Sequence, residues 1–115
     1  MSDIELVTQP ITLSHLETIA RNLFGDMVKA VVDVEKEIMA IGGELHADEE
    51  AVLLDHGSLQ ENLWGINIYP GQPRDAWLEY DSMINIRPRQ GNRSRTIEDE
   101  KIRHTIQIII QKLVI

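Results

Sequence analysis

Cysteine is absent from this 115-residue chain, and so is any long hydrophobic run. Without cysteine there are no disulfide bonds and no thiolate ligands for a metal, which fits a reducing compartment such as the cytoplasm. No stretch comes near the roughly 18–20 consecutive apolar residues that a membrane-spanning helix needs. The start, Met1-Ser2-Asp3-Ile4-Glu5, is acidic and lacks the basic and apolar segments of a secretory signal. These absences favour a cytoplasmic protein without a membrane segment.

Positive charge is scarce as well, with 11 Lys and Arg residues against 19 Asp and Glu residues and a net charge of −8. Nucleic acid is therefore not an expected partner, because phosphate contacts need a positive field. The Gly-x-Ser-x-Gly elbow, the phosphate-binding loop and the dinucleotide fingerprint are also missing. No cofactor is predicted.

A five-residue pattern occurs twice, as Ile66-Asn67-Ile68-Tyr69-Pro70 and Ile84-Asn85-Ile86-Arg87-Pro88. Two isoleucines around one asparagine have the period of a half-buried strand, and proline cannot donate the next ladder hydrogen bond. The repeat predicts two strands of one sheet, each with an asparagine on the face opposite its isoleucines.

The rest of the chain alternates between helix and strand patterns within one domain of residues 1–115. The patterns predict an extended lead-in over 1–11, a helix over 12–25, strands over 28–34 and 38–45, a short helix from 48, strands over 63–69 and 77–87, and a helix over 97–115. Asp48 is the expected cap of the short helix, and Thr96 with Asp99 that of the last one. The order α-β-β-α-β-β-α predicts an α+β fold with a four-stranded, mostly antiparallel sheet and its helices on one face.

If the helices cover one face, polar side chains collect on the other. Alternation places Asn67 there from the third strand, and Asp81, Asn85 and Arg87 from the fourth. The second strand adds Glu44 and His46. A solvated face of an antiparallel sheet is the ordinary explanation of such an array, and a ligand site is the functional one.

The segment Gly42-Gly43-Glu44-Leu45-His46 offers a second interpretation. Paired glycines within a strand indicate a bulge or a close approach of backbone or ligand. Glu44 and His46, two residues apart on a strand, could bind a metal ion with Asp81, and a metal-bound water would make the protein a hydrolase. Against this, a lone histidine is more often a hydrogen-bonded structural residue.

Arginines concentrate in the segment after the second repeat: Arg87, Arg89, Arg93 and Arg95 lie within nine residues. Guanidinium groups donate in a planar, bidentate fashion, and a helix N-terminus follows, so Arg87, Arg93 and Arg95 are candidates for binding a small anion. The alternative is that these arginines pair with the many acidic residues of the chain.

The words Gly-Gly-Glu-Leu-His-Ala-Asp, Leu63-Trp64-Gly65-Ile66-Asn67, Ile84-Asn85-Ile86-Arg87-Pro88 and Asn92-Arg93-Ser94 together are specific. With them the chain resembles, over nearly its whole length, a small family of bacterial proteins catalogued only as a domain of unknown function. The resemblance implies a compact, stand-alone bacterial domain and supplies no activity or site residue.

The sequence therefore predicts a protein of unknown function that most closely fits a binding module for a small anionic or polar ligand. The predicted lining is Glu44, His46, Asn67, Asp81, Asn85, Arg87, Arg93 and Arg95. Two alternatives stay open: a metal-dependent hydrolase that uses Glu44, His46 and Asp81, and a structural protein that assembles through its apolar C-terminal helix. A homodimer is expected in either case.

Overall fold

The first two predicted strands form a β-hairpin in the computed structural model, which describes residues 3–115. β2 (Val28–Asp33) pairs with β3 (Ile38–Ile41) in antiparallel register. Asp33 closes the turn, because its Oδ1 accepts hydrogen bonds at 2.9 Å from the backbone N–H groups of Glu35 and Lys36. Glu37 supplies the left-handed backbone, with φ 59°, that glycine or asparagine would give in a tighter hairpin.

Three more strands complete the sheet: β1 (Glu5–Val7), β4 (Leu63–Ile68) and β5 (Leu78–Glu79). The order is β1-β3-β2-β4-β5, and every pair is antiparallel. The α+β class is confirmed, but the predicted four strands are five. The extra strand lies in the predicted lead-in, whose first two residues fall outside the described part of the chain.

The three helices are α1 (Leu13–Asn22), α2 (His46–Asp55) and α3 (Glu100–Leu113). Capping chemistry left Thr12 and Ser14 as alternative caps of the first helix, and it is Thr12 that caps α1, since its hydroxyl accepts from the His15 N–H. The other two caps were predicted wrongly. α2 begins two residues before Asp48, and Asp99 rather than Thr96 accepts the hydrogen bond that opens α3. Within residues 3–115, none of the helices is long and apolar enough to cross a bilayer.

The helices pack on both faces of the sheet, which corrects the prediction of one covered and one open face. α1 and α3 lie over the larger core, where Leu16, Ile106 and Ile109 meet Ile66 and Ile68. α2 lies on the opposite face, where Leu53 packs with Val31, Ala40 and Leu63. The predicted wide apolar stripe of α3 is therefore mostly core, with Ile108 left half-exposed.

The second repeat is not a strand, which corrects the prediction for residues 84–86. Residues Met83–Asn85 form a 3₁₀ turn that packs on β4 beside α2. Gly65 makes this possible, since a Cβ there would lie 2.6 Å from the Ser82 Cβ. Only Leu78–Glu79 of the long fourth strand pairs with β4, and Tyr80 and Ser82 then bond to the backbone of residues 95–97. The predicted polar sheet face is thus partly covered by its own chain.

Candidate functional site

His46 is the first residue of α2 and is buried against the sheet. Its ring Nε2 lies 2.8 Å from the carbonyl oxygen of Ile66, so Nε2 carries the proton and Nδ1 is an acceptor in the neutral ring. Burial lowers the pKa of His46 below 6.5, and the charge of Lys29 lowers it further, against the opposing effects of Ile66 and Asn67. The imidazole is therefore neutral at pH 7.

Glu49 lies one helical turn after His46, and its side chain is completely buried. Its Oε2 accepts a hydrogen bond of 2.9 Å from the N–H of Gly43, and a Cβ at Gly43 would lie 2.9 Å from the Glu49 Cγ. The close approach predicted for the paired glycines is therefore an approach of this side chain. Burial raises the pKa of Glu49 to about 9, so the group is a neutral acid at pH 7. Its Oε1 has no hydrogen-bond partner.

Lys29 and Asn67 face each other across β2 and β4 on the side of the sheet that α2 covers. The Asn67 Nδ2 donates to the Glu79 Oε1 at 2.7 Å and to the Asp81 carbonyl at 3.3 Å. Its buried Oδ1 has no partner other than the interaction of Asn67 with His46. Lys29 is half-buried, and no carboxylate of residues 3–115 forms an ion pair with it. Its charge acts on both His46 and Glu49. We call Lys29, His46, Glu49 and Asn67 the His46 cluster.

The structure brings part of the predicted site to this cluster. His46 and Asn67 belong to it, and Asp81 borders it, since the Asp81 charge raises the pKa of His46. Asp81 is itself paired with Arg95, whose Nε and Nη2 donate to its two carboxylate oxygens at 3.0 and 3.1 Å. Glu44 is exposed and lines a neighbouring acidic cleft with Asp48.

Asn85 and Arg87 have structural positions instead. The fully buried Asn85 amide accepts from the Gly65 N–H at 2.8 Å and donates to the Gly65 carbonyl at 3.0 Å, which completes the edge of β4 as a neighbouring strand would. The Arg87 guanidinium stacks 4.0 Å from the centroid of the Trp64 ring and donates to the carbonyls of Gln60 and Leu63. Both side chains bond within the chain, and ligand binding by Asn85 and Arg87 stays a prediction.

In the arginine-rich loop, the carboxylate of Glu98 already occupies the backbone N–H groups that could bind an anion. The Glu98 Oε2 accepts from the N–H groups of Arg93 and Ser94 and from the Ser94 hydroxyl, at 2.9–3.0 Å. The Ser94 hydroxyl and the Arg93 N–H lower the pKa of Glu98. An external anion would have to displace this carboxylate, and anion binding at Arg93 and Arg95 stays a prediction.

The predicted metal ligands are not assembled. In the described part of the chain, no group of three or more His, Asp and Glu side chains is placed to hold a metal ion. The physical reason is that the His46 Nε2 faces a backbone carbonyl and the Asp81 carboxylate faces a guanidinium group.

Sequence reasoning missed Lys29 and Glu49 as members of the site. The signal for Glu49 was its spacing of three residues from His46, which places both on one face of a helix. Because His46 was assigned to a strand, that spacing was not used. Nothing in the sequence distinguishes Lys29 from an ordinary solvated strand residue. Its position beside His46, Glu49 and Asn67 is a result of the fold.

Comparison with known proteins identifies a family but no activity. No curated protein and no solved structure matches the chain. A family model described as "Protein of unknown function (DUF5674)" matches residues 5–113. The match spans all five strands and all three helices, including the three elements that carry the His46 cluster, β2, α2 and β4. The chain therefore belongs to this family of unknown function.

Proposed function

We propose that the protein is a small binding module that holds a polar, anion-bearing molecule at the His46 cluster. One observation carries the proposal: the buried Glu49 Oε1 has no hydrogen-bond partner, and the buried Asn67 Oδ1 has none beyond the interaction of Asn67 with His46. Both belong to the same cluster as Lys29, whose ammonium lies 5.2 Å from the centre of the Phe24 ring and forms no ion pair with the described residues. A buried polar group without a partner costs roughly 1–3 kcal/mol. A ligand that bonds to these atoms recovers that free energy.

The chemistry of the cluster defines the class of ligand. The Lys29 ammonium favours an anionic oxygen, and the neutral Glu49 carboxyl donates to an acceptor. The Asn67 Oδ1 and the Nδ1 of neutral His46 both need a donor. A small acid with a hydroxyl or amino group beside its carboxylate supplies the anionic oxygen, the acceptor and a donor to at least one of these two atoms.

The experiment is an NMR titration of the isotope-labelled protein with three matched probes. Glycolate has a carboxylate and a hydroxyl, acetate lacks the hydroxyl, and glycolamide lacks the charge. We expect glycolate to shift the backbone signals of Lys29, His46 and Asn67 saturably, and to do so less at high salt. Acetate and glycolamide should bind at least about tenfold more weakly, which corresponds to the loss of about 1.4 kcal/mol of binding free energy.

Matched lysine variants test the origin of the effect. Lys29→Met keeps the length of the side chain and removes its charge, and we expect it to weaken glycolate binding by about tenfold or more. Lys101→Met removes the same charge from an exposed position of α3 and should leave binding unchanged. Equal binding to both variants, or no saturable shift in the cluster, would refute the proposal.

We also propose that the protein works as a homodimer in the bacterial cytoplasm. The lack of cysteine supports the compartment. Large exposed apolar side chains support the dimer. Leu54 lies in the last turn of α2, Leu59 follows the end of α2, and Met83 and Ile86 lie on the segment that packs beside it. Light scattering on the eluted protein should give twice the 13.1 kDa of one chain. The mass of a single chain would refute the dimer.

A further inference from the structure

A cleft of about 730 Å³ lies between the edge of the sheet at β5 and the second half of α3. Its volume is within the range of about 300–1,000 Å³ that is typical of small-molecule sites. Leu78 and Tyr80 line it from the sheet, and Ile110 lines it from α3. The cleft shares no lining residue with the His46 cluster, so any ligand of the cleft binds at a second, separate site.

Arg74 stands at the wall of this cleft in a fixed orientation. Its guanidinium carbon lies 3.9 Å from the centroid of the Trp77 ring, and its Nη2 donates to the Val114 carbonyl at 3.0 Å. The Trp77 ring is itself held by a hydrogen bond of 2.8 Å from its Nε1 to the Gln72 carbonyl. A guanidinium group oriented in this way loses little conformational entropy when it binds a ligand.

The charge of Arg74 has no partner in the described residues. The chain contains 19 acidic residues, yet none of those described forms an ion pair with Arg74. Asp75 also lines the cleft but forms no ion pair with Arg74, whereas Arg95 is paired with Asp81. An arginine left unpaired in so acidic a chain is a receptor for an external carboxylate.

The remaining lining is amphipathic. Gln107 and Gln111 are four residues apart and lie on one face of α3, where their amides border the cleft. The Tyr80 hydroxyl is buried beside them and has no hydrogen-bond partner apart from its contact with Gln107. Between these polar groups the apolar surface is that of Leu78, with only the edges of Trp77 and Ile110, which are 3% and 2% exposed.

We propose that this cleft binds a planar aromatic carboxylate of one or two rings. The carboxylate pairs with the Arg74 guanidinium, and the rings lie over Leu78 and the exposed edges of Trp77 and Ile110. The glutamine amides and the Tyr80 hydroxyl bond to polar substituents of the ligand. Arg74 and Leu78 carry the specificity, because the guanidinium, held flat on the buried Trp77 ring, presents a fixed charge beside an apolar surface.

The test uses 2-naphthoate, its neutral analogue 2-naphthamide, and acetate as probes in an NMR titration. The two tryptophan indole signals are the readout, with Trp77 in the cleft and Trp64 beside Arg87 as the internal reference. We expect 2-naphthoate to shift the Trp77 signal saturably and to leave the Trp64 signal in place. The neutral amide and acetate should each bind at least about tenfold more weakly.

Two variants and one control complete the test. Arg74→Gln should weaken 2-naphthoate binding by about tenfold or more, and Arg89→Gln, at an exposed arginine outside the cleft, should not. Gln111→Phe fills the cleft from an exposed helix position and should abolish binding in a folded protein. The proposal is overturned if 2-naphthoate and 2-naphthamide bind alike, if Gln111→Phe binds as the wild type does, or if no probe shifts Trp77. Glycolate binding at the His46 cluster is scored on other residues, so the two proposals fail independently.

Discussion

Replacing Glu49 by Gln should stabilise the protein at neutral pH. In the unfolded chain the carboxyl ionises around its ordinary pKa of 4.5, whereas in the fold burial raises that pKa to about 9. Folding therefore takes up a proton between these two values, and the contribution of Glu49 to the free energy of unfolding falls by about 1.4 kcal/mol for each pH unit. That contribution is fully present below pH 4.5 and is lost as the pH rises towards 9.

The magnitude follows from the distance between pH 7 and the ordinary pKa. It amounts to about 2.5 pH units, so ionisation of the unfolded state costs the wild type up to about 3 kcal/mol at pH 7. Glutamine has no charge in either state and keeps an oxygen that can accept from the Gly43 N–H. We therefore expect Glu49→Gln and the wild type to be nearly equal in stability at pH 5, with Glu49→Gln increasingly more stable up to pH 8.5.

Urea denaturation followed by tryptophan fluorescence at pH 5, 7 and 8.5 measures the difference. Glu35→Gln is the matched control, because it removes the same formal charge from an exposed turn position. A carbon-13 NMR titration of the Glu49 carboxyl measures its pKa directly. If Glu49→Gln followed the wild type in parallel at all three pH values, the carboxyl would not be a neutral buried acid, and its role as a donor in the His46 cluster would be lost as well.

Two further variants test the packing of the second repeat on β4. Gly65→Ala places a Cβ 2.6 Å from the Ser82 Cβ, so we expect a loss of about 1–3 kcal/mol in urea denaturation; Gly71→Ala, which meets nothing within 4 Å, should change stability by less than about 0.5 kcal/mol. Asn85→Ala leaves both backbone groups of Gly65 without partners and should cost about 2–5 kcal/mol by the same assay. A loss no larger than that of Asn22→Ala, at an exposed helix end, would contradict the assignment of Asn85 as the edge partner of β4.

The specific words of the sequence have largely structural explanations. Gly65 and Asn85 join β4 to the 3₁₀ turn, and Asn92 holds the following loop through bonds from its Nδ2 to the carbonyls of Asn85, Ser94 and Thr96. Glu98 then closes that loop by accepting from its backbone. The words that identify the family therefore describe how residues 82–98 pack against the sheet. The buried Glu49 beside Gly43 is the exception. A side chain that has no charge in the unfolded state either, such as glutamine, would stabilise the fold more at neutral pH.

Local sequence patterns predicted the structure correctly wherever a segment bonds to a neighbouring segment or has a clear hydrophobic period. The hairpin of β2 and β3, the Thr12 cap of α1 and the core stripe of α3 follow from alternation, capping chemistry and helical spacing. The position of Asn67 on the sheet face opposite Ile66 and Ile68 follows from the same strand period. These features depend on residues close in sequence, so they could be predicted.

Tertiary structure decided between the conformations that one local pattern allows. The same Ile-Asn-Ile pattern is a strand at residues 66–68, where β2 and β5 supply partners on both sides, and part of a 3₁₀ turn at 83–85, where the edge of β4 bonds to an asparagine side chain instead. Which face α2 covers, and hence whether Glu49 is buried and Lys29 unpaired, depends on contacts between residues far apart in the chain. Periodicity specifies which side chains share a face, but only the packing of distant segments determines what that face meets, and the ionisation of His46 and Glu49 follows from that packing.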